Sequence, residues 1–304
     1  MSISVIMPVY NSETFLKDSI NSILKQTFID FDFIIIDDGS TDNTEIIIKS
    51  FNDNRIKYLK TDHHGIASAL NYAINYSNSE YIIRMDADDI ALPDRIEKQI
   101  SYMKNNPHLD ITGCGMLIID EDNELIGKKK LPFDSEQILS TMPFYCTVMH
   151  PTFCLKKSAF LKLKGYRNNF IYAQDYDFLL RSISLGLAID NLNYNLVKYR
   201  MYKKGNLKKM YNQMRYTLIA QQLFKERSLN NMESQYNQNY FNLVENFGFK
   251  KFLLYLFNYS NKMRNSKHVF NKIFWYKITL LVSCFDKILF KTMLNDLYYF
   301  KFML

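Results

Sequence analysis

Between Asp32 and Asp37 the chain runs Phe33-Ile34-Ile35-Ile36 without a polar break. A short, β-branched run bounded by charge fits a strand covered on both faces, and strands of that kind belong to parallel sheets. The flanking sequence has the matching rhythm. Ser4-Val5-Ile6-Met7 reads as a first strand, stopped by Pro8, and Tyr10-Asn11-Ser12 makes a turn. Asn11 or Ser12 then caps a helix in which Leu16, Ile20, Ile23, Leu24 and Thr27 recur at helical spacing. After the second strand, Asp38-Gly39-Ser40-Thr41-Asp42-Asn43-Thr44 is a tight turn rich in capping residues, leading to a helix that ends near Phe51. A third strand spans Arg55 to Leu59, a third helix Ile66 to Asn75, and a fourth strand ends at Asp86. Strictly alternating strand and helix predicts an α/β domain with a mostly parallel sheet.

The fourth strand ends in Arg84-Met85-Asp86-Ala87-Asp88-Asp89-Ile90. In an extended chain Asp86 and Asp88, two residues apart, point the same way. Side by side, like charges repel, and a divalent cation with oxygen ligands relieves the repulsion and bridges well to a diphosphate. The plainer reading is that these acids cap the helix beginning near Pro93, a role that suits Asp89. In such sheets ligands bind beyond the carboxyl ends of the strands. Pro8-Val9-Tyr10, Asp38-Gly39-Ser40 and Asp86-Ala87-Asp88 therefore open onto one edge.

Beyond Pro93 a helix runs to about Asn105, and strands near Ile111–Ile119 and Leu125–Lys129 form a hairpin around Glu121-Asp122-Asn123. His150 to Leu155 reads as extended, and a helix from Gln174 to about Leu185 carries Asp175 and Asp177 in its first turn, where the helix dipole favours acids. Near residue 202 the pattern changes. Residues 203–304 carry 17 basic and 5 acidic residues, net +12, with Tyr, Phe, Leu and Met interleaved; residues 1–202 are net −5. This predicts a domain at 1–202 and a basic, aromatic-rich, amphipathic helical region at 203–304. That region suits an anionic membrane surface; the alternative is a helical subdomain with solvated lysines. No basic leader and no apolar run of about 18 residues is present, so neither a signal peptide nor a membrane-spanning helix is expected. The four cysteines form no CxxC pair and read as reduced, mostly buried thiols of a cytosolic protein.

No GxGxxG follows the first strand, no GxxxxGK[ST] is present, and there is no GxSxG elbow, which argues against a dinucleotide dehydrogenase, a P-loop nucleotidase and an α/β-hydrolase. Three segments, Ser4 to Asn11, Ile36 to Thr44 and Arg84 to Ile90, resemble the GT-A glycosyltransferases of family 2. His150-Pro151-Thr152, Gly165-Tyr166-Arg167 and Gln174-Asp175-Tyr176-Asp177 continue the likeness in order, over about residues 2–202. The nearest likeness is to bacterial enzymes of O-antigen, lipooligosaccharide or capsule synthesis.

The resemblance implies a GT-A fold, a Rossmann-like sheet flanked by helices, and inverting transfer from a UDP-sugar (galactose, N-acetylglucosamine, N-acetylgalactosamine or glucose) to a saccharide hydroxyl. It also implies a lipid-linked acceptor and a peripheral position on the cytoplasmic face of the inner membrane, with no nucleic-acid partner. Carried over by position, Pro8, Val9 and Tyr10 line the base and ribose pocket and Asp38 accepts from the uracil N–H. Asp88 binds Mn²⁺ or Mg²⁺ directly, and Asp86 contacts the ribose or a metal-bound water and so belongs to both the nucleotide and the metal site. Ala87 lies in the nucleotide site, and Asp175 is the base. The family usually has Glu where this chain has Gln174. His150 is either near the diphosphate or metal or a hydrogen-bonded structural residue. Trp275 does not follow an Arg, and Gln213-Met214-Arg215-Tyr216 lacks the spacing of processive members, so one sugar per encounter is expected. Two rivals remain. A nucleotidyltransferase needs a Gly-rich basic loop where this chain has Pro8-Val9-Tyr10-Asn11. A non-catalytic nucleotide-binding module has no need of Asp86, Asp88 and Asp175 together.

Overall fold

Strand β1 (Ile3–Val9) lies between β2 (Asp32–Asp37) and β4 (Tyr81–Arg84), parallel to both, and β3 (Ile56–Lys60) extends the sheet beyond β2. These are the strands the apolar runs predict. The computed structural model describes residues 2–129, 131–202 and 207–230. Pro8 does not stop β1. Pairing with β2 continues through Pro8↔Ile36 to Val9↔Asp37, while pairing with β4 ends at Ile6↔Arg84. The Ile6 carbonyl accepts from Met85 on the β4 side. Two residues on, Pro8 aims its backbone the same way, past the end of that ladder, so its missing N–H breaks no bond.

Helices α1 (Leu16–Leu24), α2 (Thr44–Lys49) and α3 (Ile66–Tyr76) fill the crossovers. Helix α1 starts later than Asn11 or Ser12, because the Ser12 side chain turns back on Tyr10 and its N–H goes to Thr44 Oγ1. Thr27 lies past the helix, its N–H bonded to Pro93. Val5, Met7, Phe33, Ile35, Ile83, Leu16, Ile20 and Ile23 share one core. Each such side chain contributes roughly 1.5–3 kcal/mol on burial.

The far half of the sheet is mixed. The short β5 (Ile90–Ala91) is followed by α4 (Arg95–Asn105), then the hairpin β6 (Ile111–Ile119) and β7 (Leu125–Lys129) and helix α5 (Ser135–Thr141). His150–Thr152 is a single 3-10 turn before β8 (Cys154–Lys156), so the predicted extended segment is only half extended. Helices α6 (Lys157–Lys162) and α7 (Gln174–Ser184) precede β9 (Ile189–Arg200), a strand the sequence reading does not contain. Among the described residues the order is β3-β2-β1-β4-β8-β6-β9-β5, with β7 on the side of β6. Helix α8 (Leu207–Asn230) lies in the helical region.

Two units are distinguished, Met1–Met142 with Cys146–Lys203, and Pro143–Tyr145 with Lys204–Leu304. In the second, Gln221 of α8 donates to the Phe144 carbonyl. Among the described residues no helix is long and apolar enough to cross a membrane. The basic stretch expected to contact a membrane lies mostly at 231–304, outside the described residues, as does Trp275.

Candidate active site

The carboxyl ends of β1, β2 and β4 meet at one edge, as sheets of this type require. At β2, Asp37 is buried and accepts from Ser40 N at 2.8 Å and Tyr58 OH at 3.0 Å. Asp38, beside it, also turns inward. Its Oδ1 accepts from His64 N at 3.0 Å and its Oδ2 from Gly65 N at 2.8 Å, which ties the β2 turn to the start of α3. The approach needs glycine at position 39. There φ is +79° and a Cβ would stand 3.0 Å from His63 N. The His63 ring stacks on Tyr10, centroids 4.0 Å apart, with Nδ1 3.0 Å from Asp38 Oδ2. Tyr10, Asp38 and His63 thus form one cluster. Pro8 and Val9 are buried in the sheet, and Val9 belongs to the core.

Strand β4 ends at Arg84, two residues before the first acid, because the chain then turns at Ala87 and Asp88. Asp86 and Asp88 are therefore not alternate residues of a strand. The turn brings in a third acid, and ligand oxygens of Asp86, Asp88 and Asp89 lie within 4.8 Å of one another. Ser19 Oγ holds the turn through the Ala87 carbonyl at 2.8 Å, while Arg95 of α4 donates to the Arg84 carbonyl at 2.6 Å. Asp89 does not cap α4. It is fully buried, and its Oδ1 accepts from Arg200 N at 2.8 Å. Burial, then the Asp86 and Asp88 charges, push its carboxyl well above the usual range, and burial likewise raises Asp88. An all-carboxylate set with crowded negative charge is chemically suited to a hard divalent cation, so these residues fit Mn²⁺ or Mg²⁺.

His150 is placed elsewhere. Its Nε2 is 3.0 Å from the Tyr166 hydroxyl, and its ring makes edge contacts with Phe153 and Tyr166. Burial and the nearby Arg84 cation hold it well below its ordinary pKa, hence neutral. Among the described residues the group of close acids is Asp86, Asp88 and Asp89, and His150 is not part of it. Tyr166, hydrogen-bonded to His150 and stacked on Phe178 at 4.6 Å, is likewise interior.

Asp175 sits in the first turn of α7, partly open to solvent, after Ala173 at φ +53°. The helix dipole was expected to keep it ionised. Instead burial outweighs the Tyr176 and Asp175 N–H groups and Arg84, and its pKa is raised, with Asp86 adding to the rise. Asp177 is a different kind of group. It is fully buried, 2.9 Å from Arg181 Nε and 3.5 Å from Arg167 Nη1, and Arg181 continues to the Leu163 and Gly165 carbonyls. Those bonds fasten α7 to the loop before it.

A family model described as Glycosyl transferase family 2 matches residues 4–163. The chain belongs to this family. Among curated relatives of family 2, the O-antigen biosynthesis glycosyltransferase WbnJ of Escherichia coli is 39% identical over 212 residues, 68% of this chain and 82% of that one. The Escherichia coli UDP-Glc:alpha-D-GlcNAc-diphosphoundecaprenol beta-1,3-glucosyltransferase WfgD is 32% identical over 204 residues, covering 66% and 77%. Among solved structures, S. aureus TarS 1-349 in complex with UDP-GlcNAc superposes with a TM-score of 0.59 at 17% identity, covering 99% of this chain and 92% of that one. That likeness supports the GT-A fold. The family motifs do not include Arg200 and Tyr202, which hold the acidic turn from the end of β9. What could have found them is Lys198-Tyr199-Arg200-Met201-Tyr202, an alternating stretch that reads as a strand end.

Proposed function

We propose that this glycosyltransferase moves one sugar per encounter from a UDP-sugar to a saccharide acceptor, with inversion and with a divalent metal. The observation that carries this reading is the clustering of Asp86, Asp88 and Asp89 at the strand ends, close enough to Asp175 for Asp86 to raise its pKa. Tyr10 and Asp38 offer a ring face and a carboxylate to a nucleobase. Asp86 and Asp88 would hold Mn²⁺ or Mg²⁺, which as a Lewis acid offsets charge on the departing diphosphate. Asp175 takes the proton of the acceptor hydroxyl as that oxygen attacks the anomeric carbon opposite UDP. Its raised pKa makes it a better proton acceptor once ionised.

The named activity of WfgD, on a diphosphoundecaprenol-linked sugar, supports a lipid-linked acceptor in surface polysaccharide synthesis. The basic region 203–304, net +12, supports a peripheral position at the cytoplasmic face, where it would meet anionic lipid. The test is UDP release from UDP-glucose, UDP-galactose and their N-acetylamino counterparts, with a GlcNAc-diphospholipid acceptor, in Mn²⁺ and in EDTA. One donor should turn over with metal only, and NMR of the product should show the inverted anomer. Full turnover in EDTA, or a retained anomer, overturns the mechanism.

A further inference from the structure

The end of β9 lies over the acidic turn. Arg200 Nε donates to the Asp88 carbonyl at 2.9 Å, and its Nη1 and Nη2 reach the Asp120 carbonyl at 2.9 Å and Asn123 Oδ1 at 2.8 Å, in the β6–β7 turn. The guanidinium lies over the Phe15 ring at 4.0 Å. Two residues on, Tyr202 tilts against the same ring, centroids 6.1 Å apart, and its hydroxyl donates to Asp88 Oδ2 at 2.8 Å. Backbone and carboxylate of Asp88 are thus held by one strand end, with Phe15 as common support.

A free Asp side chain turns about two torsions, and its oxygens fan over several positions. A hydrogen bond to Oδ2 restricts both torsions and leaves Oδ1, together with the second lone pair of Oδ2, as acceptors for a cation. A phenol hydroxyl donates to the carboxylate without adding a second charge beside it. We infer that Tyr202 is a positioning residue for the metal site, its hydroxyl orienting the Asp88 carboxylate for a divalent cation. This rests on the metal reading above and goes beyond it, because it assigns the metal affinity partly to a residue outside the acidic turn. Groups that hold a ligating carboxylate from outside typically change metal affinity 10- to 100-fold when removed.

The variant Tyr202→Phe retains the ring against Phe15 and deletes only the donor. Mn²⁺ binding is followed by electron paramagnetic resonance with saturating UDP, and UDP binding by calorimetry in EDTA, both on the full chain. The expected result is Mn²⁺ affinity weakened at least tenfold, with UDP affinity in EDTA unmoved. In an Asp88→Ala background, Tyr202→Phe should add nothing, since the group it orients is gone. Equal or tighter Mn²⁺ binding by the Phe variant overturns the proposal, and so does a parallel loss of UDP affinity in EDTA, which would mean a general loosening. A wild-type protein that binds no Mn²⁺ with UDP present overturns the metal reading itself and this role with it.

Discussion

Arg84, the last residue of β4, is ion-paired through Nη2 with Asp86, the first acid of the turn that follows. The guanidinium is buried, while the Asp86 side chain keeps 25% exposure. Among the described residues, Arg84 Nε and Nη1 are buried without a hydrogen-bond partner. One interior cation therefore acts on several groups at once. It pairs with Asp86, disfavours protonation of His150, and draws down the pKa of Asp175 against the rise that burial causes.

Arg84→Met fills similar space with an apolar chain and removes the two orphan donors. Stability should fall, because the change removes one partner of the pair and leaves Asp86, beside Asp88 and Asp89, without its counter-charge. Breaking a buried pair costs about 3–5 kcal/mol, and the part-exposed Asp86 puts the loss at the low end. Activity should respond differently. Asp175 loses a cation that favours its charged form, so its pKa rises further. The acidic limb of the kcat/KM profile should then move to higher pH. A limb that stays in place would show that Arg84 does not act on the base.

Asp89 gives a pH prediction for stability. In the unfolded chain it titrates near 3.9, and in the fold burial and two neighbouring acids raise it well above that. Between those values the unfolded chain loses its proton first. Stability should therefore fall as pH rises through that window. Asp89→Asn retains the acceptor for Arg200 N and cannot charge. In EDTA at neutral pH it should be more stable than the wild type. Urea denaturation across pH checks this, and a less stable variant at neutral pH would defeat it.

The parallel half of the sheet was legible because Phe33–Ile36 and Ile82–Ile83 are continuous apolar runs, the mark of strands covered on both faces. Pro8 was misread as a stop, since nothing in the sequence says on which side its missing N–H would fall. Strand β9 escaped because Asp190, Asn191, Asn193 and Asn195 break its apolar pattern. Asn191 is tolerated inside by bonds to the Pro132 and Thr147 carbonyls, which are distant in sequence. The acids of the site could be read by type, but their arrangement could not. Spacing gave a pair on one face of a strand, whereas the turn at Ala87 makes a group of three. Arg200 and Tyr202 act over more than 110 residues of chain, a separation that local pattern does not carry.

Asp177 was expected to be a helix-end charge of small consequence. Its burial between Arg181 and Arg167 changes that expectation for stability, though not for chemistry. Asp177→Asn leaves a buried guanidinium without its counter-charge, a change that costs about 3 kcal/mol or more. Thermal or urea unfolding should show the loss. Per folded molecule, turnover should stay within about tenfold of wild type, because Asp177 faces the loop before α7 rather than the acidic group. Wild-type stability in this variant would mean that the ion pair is not what fastens α7.

Asp175 carries the last prediction. The proposed base must be ionised to accept the acceptor's proton, and burial raises its pKa, so activity should fall with decreasing pH sooner than an exposed aspartate would allow. Asp175→Asn preserves shape and volume and cannot accept that proton. Turnover should drop by two to four decades, on the order of what loss of a general base typically costs, with UDP-sugar affinity nearly unchanged. The residual activity should also lose its acidic limb, because the group that made it is gone. Single-turnover rates across pH, paired with calorimetric binding of the donor in EDTA, separate the two effects. A variant that keeps the acidic limb, or that loses donor affinity as steeply as turnover, would assign the proton transfer to another carboxylate.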